Sequence, residues 1–224
     1  MRIEKRASGI IRRLKKHYFY VKKTALKFSN PLEILVATIL SAQCTDKRVN
    51  KVTPGIFKKY RFLKDYAAAD IKVFEQKIRS TGFYHNKTKN IIDSAKLIHN
   101  KYGDKVPNTM EELLTLPGVA RKTANIVLSN AFGKIEGVAV DTHVKRLSYR
   151  LGLTKYDNPE KIEKDLMGLF GRADWFAISN LLIEHGRRIC KAQRPDCQNC
   201  FLSDICPKVG VPDRLKGTLP LSGN

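Results

Sequence analysis

Helix start and stop signals recur along this chain so often that little besides a helical fold can accommodate them. Asn30-Pro31 couples a capping side chain to a first-turn proline and opens an apolar stretch, residues 32–42; Asn158-Pro159 repeats the device. Thr45 and Asp46 can cap the next segment, which Pro54 is expected to interrupt before a restarted helix runs to Tyr60. Asp70 opens a helix closed by Gly82, and residues 85–102 form another that ends at Gly103. Asn108 caps a short helix to Leu114, residues 120–132 stop at Gly133, Asp141 caps a helix to Leu151, and Asp174 caps the run into Cys190. Only residues 138–140 hint at a strand, so the fold class is all-α. The 18 residues after Cys206 contain Pro, Gly and Ser without periodicity and read as a loose tail.

At 224 residues the chain can build one large domain or two small ones, and no apolar run is long enough to cross a bilayer. Charge narrows the partners. Lys plus Arg number 42 against 21 Asp plus Glu, a net +21, and such self-repulsion is best relieved by a polyanion. Nucleic acid is the usual one for a compact basic domain, although a ribosome-bound protein, a membrane surface or a thermophile's Lys-rich exterior would also fit. Ten of the basic residues and one acid, Glu4, fall in the first 29 positions. There Ile3, Ala7, Ile10, Leu14, Val21, Ala25 and Phe28 keep a helical spacing, so an amphipathic helix, broken or whole, should dock there with its basic face outward. A transit peptide shares the composition, but the apolar stripe suits docking better.

Leu116-Pro117-Gly118-Val119 joins two of the predicted helices. Proline presets such a turn and glycine permits a conformation other residues resist. The next helix, from about Ala120, opens with free N–H groups and a positive dipole end suited to a phosphate; Gly118, Ala120 and Arg121 are the residues placed to meet it. An ordinary helical hairpin would read the same way. Lys122 lies in that first turn, where the dipole disfavours a further positive charge and a neutral amine, the form a Schiff-base nucleophile needs, becomes more accessible. A simple phosphate contact is the other reading. Asp141, in Val140-Asp141-Thr142-His143, reads first as an N-cap, yet a carboxylate can also accept a proton from an amine or stabilise a sugar oxocarbenium ion.

Cys190, Cys197, Cys200 and Cys206 have the pattern C-x6-C-x2-C-x5-C. No apolar signal segment accompanies them, so a metal or cluster site is a better reading than disulfides. Four thiolates suit either Zn²⁺ or a [4Fe–4S] cluster. Lys191 and Arg194 occupy the first loop of the pattern, in reach of phosphates. Cys44 reads as a buried structural thiol, and His143 and His185 as structural histidines.

Four blocks, residues 40–46, 116–125, 138–143 and the cysteine segment, together resemble the helix-hairpin-helix DNA glycosylases, and among these the iron–sulfur, endonuclease III-type branch. The resemblance implies a two-lobed helix-hairpin-helix glycosylase fold with a C-terminal iron–sulfur cluster loop at residues 190–206. One lobe, residues 24–134, would be a six-helix domain ending in the hairpin; residues 1–23 and 135–224 would form the other. It also implies a bifunctional repair enzyme that removes oxidised pyrimidines such as thymine glycol from double-stranded DNA. Lys122 and Asp141 would be catalytic and the four cysteines would hold [4Fe–4S]. Gln43 would fill the gap left by a flipped nucleotide, and Phe83, where many members carry Leu, would wedge between bases. The bland roles are a helix-terminal Gln and a loop anchor. A monomer acting on cytoplasmic, nucleoid-associated DNA is implied, with no membrane partner. The hairpin departs from the family pattern, Gly-Val-Ala replacing Gly-Val-Gly, so Ala120 must be helical or extended. Rival readings are a mismatch adenine glycosylase, disfavoured by Lys122; a mismatch thymine or uracil glycosylase; and a non-catalytic iron–sulfur DNA-binding protein.

Overall fold

The computed structural model describes residues 1–21 and 24–216. Among these it contains eleven α-helices, two short 3₁₀ turns and no strand. The chain divides into two compact units: Thr24–Glu136, and a second that combines the N-terminal residues with those from Gly137 onward. Each has its own apolar core.

The Thr24–Glu136 unit is organised around α2 (Pro31–Leu40), where every residue from Ile34 to Leu40 is buried. Asn30 accepts the Glu33 N–H at 2.9 Å and Glu33 reaches back to the Ser29 N–H at 2.6 Å, so the helix starts where the Asn-Pro signal says it should. Around it lie α3 (Asp46–Lys59), α4 (Leu63–Ala67), α5 (Ile71–Ile78), α6 (Tyr84–Tyr102), α7 (Met110–Leu114) and α8 (Arg121–Ala131); α2 packs on α3, α6 and α8. Two sequence expectations need correction here, and one helix is new. Pro54 does not interrupt α3, which is continuous. Val49 and Thr53 before it and Ile56 after it are all buried on one core, and that packing carries the helix across the missing N–H. Thr109, not Asn108, caps α7, because the Asn108 side chain accepts the Lys134 ammonium at 2.7 Å instead. The five-residue α4 is new: Leu63 and Tyr66, three apart, are buried, while Asp65 accepts the N–H groups of Arg61 and Phe62.

The second unit holds α1 (Ile3–His17), α9 (Thr142–Arg150), α10 (Pro159–Leu169) and α11 (Arg172–Arg188). The N-terminal stripe buries Ala7, Ile10, Ile11 and Leu14, but the helix stops at His17. Phe28, counted into that stripe, packs instead on the core of the Thr24–Glu136 unit. Asp174 is not a cap. Gly171 precedes α11, and Asp174 sits one turn in, ion-paired with Lys15 of α1. Residues 138–140 form no strand; the Ala139 carbonyl is satisfied by the Ser179 hydroxyl at 2.7 Å. The segment after Cys206 is not loose as far as Lys216: Val209 N–H bonds the Arg150 carbonyl at 3.1 Å and Val211 is buried. Residues 217–224 of the expected tail lie outside the described residues.

Candidate nucleic-acid interface

In the hairpin between α7 and α8, Leu116 and Val119 are buried while Gly118 and Ala120 are exposed, so the apolar pair anchors the turn and pushes its backbone outward. Gly118 has φ +74°, and a Cβ there would lie 2.5 Å from Asn90 Nδ2. Ser94, one turn along α6 from Asn90, donates to the Pro117 carbonyl at 2.9 Å. Ser94 thus bonds the turn and Asn90 packs closely against Gly118, roles the sequence alone did not signal. Ala120 is extended, φ −90° and ψ 171°, as the absence of a glycine requires. Six helices have N-cap side chains bonded to their first turn: Asn30, Thr45, Asp70, Thr109, Asp141 and Asn158. At α8 no side chain caps the first turn and no acid lies within it. A first turn with no acid and no capping side chain leaves the positive dipole end uncompensated, the electrostatic setting that favours an anion. Arg121 and Lys122 are the first two residues of that helix, and Lys122 is exposed.

Gln43 and Phe83 belong to the same unit. Both are exposed and both are non-glycine residues at positive φ, 52° and 48°. Such a backbone is costly for a bulky side chain and persists only where the surroundings impose it. Phe83 is 61% exposed, so it is not the buried loop anchor of the bland reading. Cys44 is half-buried at the core's edge, less enclosed than expected.

In the other unit Asp141 caps α9, Oδ1 accepting the Val144 N–H at 2.8 Å. The same helix reaches the cysteine segment with two arginines. Arg146 donates to the carbonyls of Gly186 (3.3 Å) and Cys190 (3.1 Å). Arg150, buried, donates to the carbonyls of Lys191 and Ala192, both at 2.7 Å, and approaches Cys190 Sγ at 3.4 Å. These arginines were missed from sequence because a basic residue on a helix of a basic protein carries no positional signal. Lys191 and Arg194 are exposed on the loop so held.

Cys190, Cys197, Cys200 and Cys206 line one pocket, with Arg150, His185 and Lys208 among its other walls. None is in a disulfide. Among the described residues no three His, Cys, Asp or Glu converge on a point that could hold a single metal ion. Four thiols lining one cavity supply the donor set of a metal or cluster site. Hydrogen-bond donors face the sulfurs: Arg150 Nη1 at Cys190, and the Lys208 N–H at Cys206, 3.3 Å away. Burial pushes the free thiols of Cys200 and Cys206 up to about 12 and about 11, so iron must displace protons to bind them. His185 was expected to be merely structural. It is buried against the Tyr18 hydroxyl at 3.0 Å, but its Nε2 also lies 3.4 Å from Cys200 Sγ. Burial, with His17 nearby, pulls it down to about 4, so the ring is neutral at pH 7. His143 Nδ1 lies 3.2 Å from Arg146 Nη2.

Residues 36–172 match the HhH-GPD superfamily of base excision DNA repair proteins, and residues 190–206, a span that begins and ends on a cysteine, match the iron–sulfur binding domain of endonuclease III. The chain is 52% identical over 204 residues to endonuclease III of Synechocystis sp., covering 91% of this chain and 93% of that one. To endonuclease III of Bacillus subtilis it is 48% identical over 182 residues, 81% and 83% of the two chains. Among solved structures it resembles a trapped endonuclease III–DNA covalent intermediate with a TM-score of 0.88 and 42% identity, over 93% of this chain and 97% of that one. A thermostable thymine-DNA glycosylase shares the fold, at TM-score 0.80 and 23% identity over 91% and 96% of the chains.

Proposed function

The chain belongs to the HhH-GPD superfamily of base excision DNA repair proteins, and from that premise we propose that it acts as a monomer on oxidised pyrimidines, such as thymine glycol, in double-stranded DNA, with Lys122 as nucleophile and Asp141 as the assisting carboxylate. It is a DNA glycosylase and AP lyase and carries a [4Fe–4S] cluster. The observation that supports the catalytic assignment is the setting of Lys122: exposed, in the first turn of a helix without a side-chain cap, directly after a turn whose Gly118 and Ala120 are exposed.

In the proposed reaction the Lys122 amine forms a bond to C1′ as the C1′–N bond to the base breaks, the base leaving with the electron pair. Sugar ring opening gives a protonated imine. Loss of a C2′ proton then drives cleavage of the C3′–O bond, expelling the 3′ phosphate, and water releases the lysine. Asp141 uses Oδ1 for its helix cap, and Oδ2 is the oxygen assigned to stabilise positive charge at C1′ and to take the amine's proton. The nucleotide must leave the stack for this chemistry. Gln43 fills the space it vacates and Phe83 enters the step beside it. Gly118, Ala120 and Arg121 grip a phosphate through the open end of α8, and Lys191 and Arg194 add contacts from the cysteine loop. A net +21 suits residence on nucleoid DNA. Cys190, Cys197, Cys200 and Cys206 hold the cluster, which when bound cross-links the loop and supplies no step of the excision.

Borohydride trapping tests this reading. The protein is mixed with duplex DNA carrying one thymine glycol, or one abasic site, beside the Lys122→Ala variant. A covalent adduct on both DNAs, absent in the variant, is expected. An adduct on the abasic site alone would move the substrate to another base, such as a uracil or thymine opposite guanine. No adduct with intact DNA binding would remove Lys122 as nucleophile.

A further inference from the structure

Lys87, on α6, is 4% exposed, although a lysine ammonium is strongly hydrated and costly to desolvate. Its Nζ donates to two main-chain carbonyls, Leu40 and Thr81, each at 2.8 Å. Both carbonyls end helices. Leu40 is the last residue of α2 and Thr81 the last of the 3₁₀ turn Arg79–Thr81. A cation between two helix C-termini meets the negative ends of both dipoles and takes up carbonyls the helices leave over. Burial pulls the ammonium down, with the Cys44 thiol opposing that shift. An apolar side chain would fill the same space without that desolvation, so packing alone does not account for a lysine here.

The residues just beyond the two carbonyls give the position a purpose. Three residues after Leu40 comes Gln43, and two residues after Thr81 comes Phe83. These are two of the four non-glycine residues at positive φ among the described residues. Backbones held in that region need their flanks fixed, and one ammonium fixes a flank of each. We infer that Lys87 is a positioning residue that clamps the ends of the two segments leading into Gln43 and Phe83, setting the spacing of the two side chains that enter the duplex together. This rests on the reading of Gln43 and Phe83 as insertion residues. It adds a reason for a lysine at a site where chemistry at the sugar requires none.

The test compares Lys87→Met with Gln43→Ala and Phe83→Ala on two DNAs. One carries the lesion in a fully paired duplex, where insertion is needed to extrude the nucleotide. The other carries an abasic site in a single strand, where it is not. Single-turnover excision is read on the first and borohydride trapping on the second. A misplacement of about 1 Å costs on the order of 100-fold, so K87M is expected to lose about 100-fold on the duplex and far less on the single strand. Combined with F83A, its duplex loss should fall well short of the product of the two separate losses, since both act through one wedge. Equal losses on both DNAs, or none on either, overturn the inference and leave Lys87 a core residue. If Q43A and F83A are duplex-selective and K87M is not, the clamp alone fails. If Q43A and F83A show no selectivity, the insertion reading fails and takes the clamp with it. Should K87M not fold, Lys87→Gln, which keeps donors on a shorter stem, carries the same comparison.

Discussion

Replacing Gly118 by Ala tests whether the hairpin turn depends on glycine's backbone or only on its small size. Two costs add. At φ +74° a non-glycine residue pays about 1–2 kcal/mol for the left-handed conformation. The new Cβ would also lie 2.5 Å from Asn90 Nδ2, 2.8 Å from its Cγ and 2.9 Å from its Cβ, an overpacking that costs about 1–3 kcal/mol. The stiffer unfolded chain returns about 0.4–1 kcal/mol. The net loss is about 1–4.6 kcal/mol, or about 2–18 °C in apparent Tm at about 2–4 °C per kcal/mol for a chain of this length. Thermal and urea unfolding of the cluster-loaded protein measure it. The two costs separate in the double variant Gly118→Ala/Asn90→Ala, which removes the two nearest of the three contacts. That variant should recover most of the overpacking and retain the conformational cost, after allowance for Asn90→Ala alone. A G118A protein within about 0.5 kcal/mol of its parent would refute the argument. So would a double variant no better than the sum of the two single ones, since the clash with Asn90 would then not be the source of the loss.

Two further outcomes are expected. Ala120→Asp gives α8 the side-chain cap it lacks, so stability should rise by about 1 kcal/mol. The carboxylate would occupy the anion position, so duplex affinity should fall, and unchanged affinity in a titration would place the phosphate elsewhere. Cys206→Ser removes one cluster ligand, so visible cluster absorbance should be lost and trypsin should cut after Lys191, exposed on the loop Arg150 holds; an unchanged cleavage pattern would show that the arginines alone order the loop.

Five of the eleven helix starts among the described residues were legible because an N-cap is a local event. Asn30, Thr45, Asp70, Asp141 and Asn158 each bond a main-chain N–H three residues on, and nothing outside that window decides it. The misreadings share one cause. Pro54, Asp174 and the segment after Cys206 each obey a correct local rule that a distant partner overrides: core burial on both sides of the proline, Lys15 for the aspartate, and the Arg150 carbonyl for Val209. The site divides in the same way. Gly118, Lys122 and the cysteine spacing advertise their chemistry by residue type and order, whereas Asn90, Ser94, Arg146, Arg150 and Lys87 act on carbonyls and turns far along the chain, where type alone says nothing. Gln43 and Phe83 lie between these cases. A resemblance marked them, but only the backbone shows that both are held at positive φ, a strain that local sequence would avoid by placing glycine there. A bulky side chain kept in a glycine's conformation is strain that the surroundings impose, and under the proposed insertion reading Lys87, bonded to the carbonyls of Leu40 and Thr81, belongs to the site as well.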